Sequence, residues 1–149
     1  MRTPQELSDQ AEIRDALTAY FVGLDRRDWD LVKDCFTPNC QSVYHGCPVN
    51  GTEALIRMIR GVERYRVTMH FMGNTLIQVH GEAAVSQVYA EAHLLLPISA
   101  TEERDRINGL RYLDDWVRIE GRWKIHHRVQ IRDWNRNDII PALEPPRSV

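Results

Sequence analysis

The spacing of apolar residues changes for good at Gly61, and that change limits the chain to few architectures. Upstream, Ile13, Leu17, Tyr20, Phe21 and Leu24 recur at helical intervals and form one apolar face. Thr3 caps this predicted helix, Pro4 takes its first position, and Glu6 completes a capping box. Asp25-Arg26-Arg27-Asp28 breaks the stripe, and Asp28 caps a second helix predicted over Trp29 to Phe36. A short strand over Gln41 to His45, a turn over Gly46 to Gly51 and a third helix over Thr52 to Arg60 follow.

Downstream of Gly61 the pattern is that of strands. Arg66 to Met72 and Asn74 to Val79 read as one strand bent at Gly73. Ala84 to Leu96 is a second, stopped by Pro97; a polar loop, Ser99 to Asp105, precedes a third over Leu110 to Ile119. Glu120-Gly121 turns into a fourth, Trp123 to Trp134, and residues 135–149 read as a C-terminal tail. Helices followed by four long antiparallel strands indicate an α+β fold, not alternating βαβ. At 149 residues the chain has the size of one domain, and 43% apolar residues suffice for a core. A long meander bends around helices and leaves a concave face, where ligands bind.

Several partner classes are excluded by composition. Nineteen Lys and Arg against 21 Asp and Glu leave a net charge of −2, with no field that draws nucleic acid or an anionic membrane. No apolar run approaches the ~20 residues of a membrane span, and the N-terminus lacks a signal-peptide stretch, so the expectation is a cytoplasmic protein. Cys35, Cys40 and Cys47 form no Cys-x-x-Cys pair, and there is no His-Glu-x-x-His spacing, so neither a disulfide framework nor a metal or other cofactor is expected.

The informative anomaly is ionisable side chains on strands. Alternation puts His70 with Thr68 and Met72, Tyr89 with Glu91 and His93, and His126 with Arg128 and Gln130, the last three opposite Trp123 and Ile125. If these sets face inward they make a polar pocket; the same spacing also fits solvent-exposed faces.

The runs Tyr20-Phe21-Val22-Gly23-Leu24-Asp25-Arg26-Arg27-Asp28-Trp29-Asp30, Met69-His70-Phe71-Met72-Gly73-Asn74 and Tyr89-Ala90-Glu91-Ala92-His93 resemble the SnoaL-like branch of the nuclear-transport-factor-2-like superfamily. Arg111-Tyr112-Leu113-Asp114 and Trp123-Lys124-Ile125-His126-His127-Arg128 extend the likeness over residues 8–134. The resemblance implies a cone-shaped α+β barrel, with a strongly bent, mostly antiparallel sheet wrapped around N-terminal helices. It also implies a deep pocket and a homodimer or homotrimer. Scytalone dehydratase, bile-acid 7α-dehydratase and hexachlorocyclohexane dehydrochlorinase are the similar enzymes; they eliminate water or HCl without a cofactor through an Asp–His pair. The implied roles are Asp25 and His70 as that pair, Tyr20 as the bile-acid enzyme's tyrosine, and His93 as a second catalytic histidine. Tyr44 and Arg128 are implied as substrate-binding, with Trp29, Met72 and Glu91 shaping the pocket. Lysine replaces the tyrosine in the dehydrochlorinase, which argues against dehalogenation here.

These residue types suit an elimination beside a carbonyl. Histidine titrates near working pH and serves as base, a carboxylate orients it, and tyrosine donates to the developing enolate. The function expected is that of a hydro-lyase or isomerase acting on a small, hydrophobic, ring-containing hydroxy-ketone. A polyketide-cyclase-like aldol catalyst would use the same aspartate. A non-catalytic binding protein, or a structural subunit like the small subunit of a ring-hydroxylating dioxygenase, would instead lack activity alone. Asp25 and His70 also fit a helix-end carboxylate and a satisfied core histidine, Tyr20 a core tyrosine, and Arg128 an ion pair with Asp25, Glu91 or Asp114.

Overall fold

The computed structural model describes residues 2–143. Its elements are α1 (Pro4–Arg26), α2 (Trp29–Asp34), β1 (Phe36–Tyr44), β2 (Cys47–Asn50), α3 (Thr52–Ile59), a 3₁₀ turn (Arg60–Arg64), β3 (Val67–His80), β4 (Ala83–Pro97), β5 (Glu102–Ile119) and β6 (Arg122–Pro141). The capping box forms as its residues dictate: Glu6 N donates to Thr3 Oγ1 at 3.1 Å, and Thr3 N to Glu6 Oε2 at 2.6 Å. α1 ends where Arg27 takes a left-handed backbone with φ 59° and Asp28 N donates back to Gly23 O at 2.9 Å. A Cβ on Gly23 would lie 2.6 Å from Val32, so the glycine lets α2 fold back tightly on α1.

The strands form one six-stranded sheet in the order β2-β1-β6-β5-β4-β3. Only β1 and β6 pair in parallel. The α+β class and the mixed, mostly antiparallel sheet against N-terminal helices match the expectation. The sheet is not closed into a barrel, because β2 and β3 are unpaired edges. The apolar stripe of α1 joins Val88, Ala90, Ala92, Leu110, Tyr112 and Ile125 in the core of its concave side.

Five features differ from the sequence reading. The second helix ends at Asp34 and β1 begins at Phe36, five residues before the expected Gln41, because β6 already pairs there, Phe36 with Ile125. The turn expected over Gly46 to Gly51 contains β2, because His45 and Gly46 (φ 52° and 79°) make a two-residue turn that pairs Tyr44 with Cys47. The polar loop before β5 ends at Thr101, and the strand already includes Glu102 to Asp105. The first part of the expected tail, up to Pro141, belongs to β6; residues 144–149 lie outside the described chain. Finally, His126 is an extra residue between the pairs Trp116↔Ile125 and Asp115↔His127. This bulge shifts the alternation by one, so that Trp123, Ile125, Arg128 and Gln130 are all buried, against the expected opposition of the two sets. The bend expected at Gly73 is also a bulge: Gly73 and Asn74 together oppose Tyr89.

The inward turn of Arg128 creates a wholly buried ion pair. Its Nε and Nη2 donate to Asp114 Oδ1 and Oδ2 at 2.6 and 2.8 Å, with both side chains fully buried. The guanidinium lies 4.3 Å from the ring centre of Tyr20, 4.7 Å from that of Tyr112 and 5.2 Å from that of Phe36. Removing one partner leaves an uncompensated buried charge. Asp114→Ala is therefore expected to lose about 3–5 kcal/mol of unfolding free energy, measured by urea denaturation.

Candidate active site

Asp25 stands at the last turn of α1, and three hydrogen bonds tie it to β3. Thr68 Oγ1 donates to its Oδ1 at 2.9 Å, His70 N to its Oδ2 at 2.8 Å, and His70 Nδ1 lies 2.7 Å from its Oδ1. Partial burial works to raise the Asp25 carboxyl, but the bonds from the His70 ring, the His70 amide and Thr68 outweigh it and hold the carboxyl below its ordinary value. An anionic Asp25 requires a proton on Nδ1. Nε2 of a neutral His70 then carries the lone pair, and it has no hydrogen-bond partner among the described residues. Phe21 stacks on the imidazole at 6.0 Å.

The pair is braced by Arg27, which the sequence reading did not single out. Its Nη1 donates to Thr68 Oγ1 at 2.7 Å and to Leu24 O at 3.0 Å, and its Nη2 to the carbonyls of Val62 and Tyr65 at 3.3 Å. The left-handed backbone at Arg27 is thus offset by a network joining α1, the 3₁₀ turn and β3. An arginine in a charged run gives no local signal of this.

His70 lines a cavity of about 350 Å³ on the concave side of the sheet. Tyr20, Tyr44 and Tyr112 line it too, with Leu24, Met58, Ile59 and Leu110 as its apolar wall. The hydroxyls of Tyr20 and Tyr44 lie 3.0 Å apart, and Gln130 Nε2 donates to Tyr112 Oη at 3.2 Å. Burial pushes all three phenols above their ordinary value, so they remain O–H donors at neutral pH. Asn108 and Gln130 also line the cavity, and Asn108 Oδ1 and Gln130 Oε1 have no partner among the described residues. Tyr112 and Asn108 alternate correctly in the sequence, but nothing there marks them as ligand-facing. Among the described residues no group of three or more His, Cys, Asp and Glu side chains is arranged to hold a metal ion.

Asp25, His70, Tyr20 and Tyr44 therefore converge, whereas the other expected site residues lie elsewhere. His93 and Glu91 point out of the opposite face of β4: His93 Nδ1 lies 2.7 Å from Asp105 Oδ2 and its Nε2 3.0 Å from Glu91 Oε1. The buried face of β4 carries Ala84, Ser86, Val88, Ala90 and Ala92 instead. Arg128 lies behind the tyrosines, bound to Asp114 and outside the cavity lining. Trp29 is held at the surface by Glu63 (2.9 Å) and Arg60, and Met72 packs on the core beyond the cavity.

The family model of the SnoaL-like domain matches residues 5–129. An uncharacterized protein of Mycobacterium tuberculosis is 28% identical over 137 residues, covering 89% of this chain and 90% of its own. Among solved structures, a candidate scytalone dehydratase of Novosphingobium aromaticivorans superposes with a TM-score of 0.82 at 20% identity, covering 99% of each chain. A hexachlorocyclohexane dehydrochlorinase of Novosphingobium barchaimii gives 0.75 at 16% identity, covering 94% of this chain and 97% of its own. At these identities the likeness to the two enzymes establishes a shared fold.

The lowered Asp25 value has a consequence for stability. A depressed carboxyl contributes stability that is present above its unfolded value, near 3.9, and lost as pH falls through the folded value. Asp25→Asn is expected to be less stable than wild type at neutral pH, with the gap narrowing in acid; urea unfolding at pH 7 and about pH 3.5 measures both.

Proposed function

The chain belongs to the SnoaL-like domain family, and on that premise we propose that it is a cofactor-independent lyase or isomerase of the dehydratase type. Its substrate is a small, hydrophobic, ring-containing hydroxy-ketone. The observation that carries the reading is the 2.7 Å contact between Asp25 Oδ1 and His70 Nδ1 beside a cavity floored by protonated tyrosines. Neutral His70 takes the α-proton on Nε2 while Asp25 holds the ring and stabilises the imidazolium. The electrons of the C–H bond become the new C=C bond as the β C–O bond breaks. The hydroxyl of Tyr20 or Tyr44 donates to the substrate carbonyl oxygen, where charge develops. The departing hydroxyl takes the proton back from His70 and leaves as water, which restores the neutral imidazole. One base working on one face of the substrate serves as acid in the second half of the step, so the reading does not need His93. Returning the same proton to a different carbon gives isomerisation.

Assembly into a homodimer or homotrimer belongs to the same proposal. What supports it is the exposure of Met69, Phe71, Tyr89 and Trp134 on the outer face of the sheet. Trp134 lies across Gly109, where a Cβ would come within 2.1 Å of its indole. Sedimentation velocity is expected to give a dimer or trimer for wild type and a monomer for a Phe71→Glu, Trp134→Glu double variant.

Turnover is tested with a panel of cyclic β-hydroxy ketones, reading the ultraviolet absorbance of the conjugated product. His70→Gln and Asp25→Asn are each expected to lower kcat by about 10²–10⁴, with circular dichroism unchanged. Turnover retained in a folded His70→Gln protein overturns the proposal.

A further inference from the structure

Several arginines of this protein are matched by carboxylates. Arg66 binds Glu103, Arg111 binds Asp133, Arg118 binds Asp9 and Arg128 binds Asp114. Arg27 differs, satisfied instead by Thr68 and backbone carbonyls, and so does the approach to the cavity. Arg64, Arg106 and Arg132 line it, and no carboxylate lies within ion-pair distance of any of them among the described residues. An adjoining cleft of about 400 Å³ shares Arg64 and Arg106 and adds Arg104, Asn135 and Asn137. Among the described residues neither space has an aspartate or glutamate in its lining, although the chain has more acidic than basic residues.

This arrangement is unfavourable without a further group. Burial and the neighbouring charge of Arg106 both disfavour the charged Arg132, and its Nε is buried with no hydrogen-bond partner among the described residues. Among the described residues the side-chain hydrogen-bond partner of Arg132 is His45, whose ring nitrogens lie 2.8 and 3.0 Å from Nη2. Burial, with the charges of Arg132 and Arg106, holds His45 below its ordinary value, so it adds no positive charge at neutral pH and accepts rather than repels. Arg64 is engaged by its neighbour Tyr65, through a 2.8 Å bond and the ring face. Guanidinium groups held close together, partly dry and without a counter-ion, are the complement of a bidentate oxyanion.

We infer that the substrate is amphiphilic: its rings occupy the inner cavity beside His70, and an oxyanion, carboxylate or phosphate, seats between Arg106 and Arg132 at the entrance. Arg64 and Arg104 extend the same positive lining outward and draw the anion in. The inference deepens the proposed function, on which it rests for the chemistry at His70, and it names what the cavity selects.

The test uses four naphthalene probes of one ring size: 2-naphthoate, 2-naphthyl phosphate, 2-naphthamide and 2-naphthol. Binding to the full chain is followed by isothermal titration calorimetry and by backbone NMR shifts. At least one anionic probe is expected to bind about tenfold or more tightly than its neutral counterpart. That preference should weaken with salt and vanish in an Arg106→Gln, Arg132→Gln double variant. Which anion binds better identifies the oxyanion. Equal binding of neutral and anionic probes, no binding of either anion, or a preference that survives in the double variant overturns the inference. His70→Gln is expected to keep the anion preference, which separates the two claims. Anion preference without turnover of any acidic hydroxy-ketone overturns the lyase reading alone, and turnover of neutral substrates without anion preference overturns this inference alone.

Discussion

The buried pair of Arg128 and Asp114 is the interaction on which the interior depends. Taking both charges out of water is costly, and a bidentate contact alone rarely offsets it. Here the remaining faces of the guanidinium are covered by Tyr20 from α1, Phe36 from β1 and Tyr112 from β5. The pair therefore brings together the helix and three strands, and it fixes the rings whose hydroxyls floor the cavity. A residue read from the sequence as substrate-binding lies instead behind the tyrosines that line the cavity.

How much was legible in the chain follows from the range of the physics involved. The start of α1 was readable because a capping box is contained within four residues, and the Glu120-Gly121 hairpin because left-handed turn chemistry is local. The bulge at Gly73 was readable because glycine interrupts an otherwise continuous strand. The approach of Asp25 and His70, 45 residues apart, was legible through the family likeness and not through spacing.

What escaped is equally specific. Alternation on β4 sorts residues into two sets, but it does not say which set faces in. Charge marks Glu91 and His93 as special, while the alanines between them on the strand are the buried set. The bulge at His126 has no glycine or proline to announce it, and one extra residue reverses the side of everything after it. Glu102 to Arg106 resembles a loop because both faces of that segment are charged. One face pairs with Arg66 and His93, and the other borders the cavity.

The hydrogen bonds at Asp25 carry one more implication. The carboxylate that orients His70 is also the rivet between the end of α1 and strand β3, braced through Thr68 and Arg27. Orientation of the imidazole and mechanical fastening therefore share the same atoms. A relative with no use for the histidine's chemistry would still lose its helix anchorage by discarding the aspartate, so selection for folding alone would retain it. Within such a lineage the aspartate and histidine are a record of architecture, and divergence would first be written in the walls of the cavity.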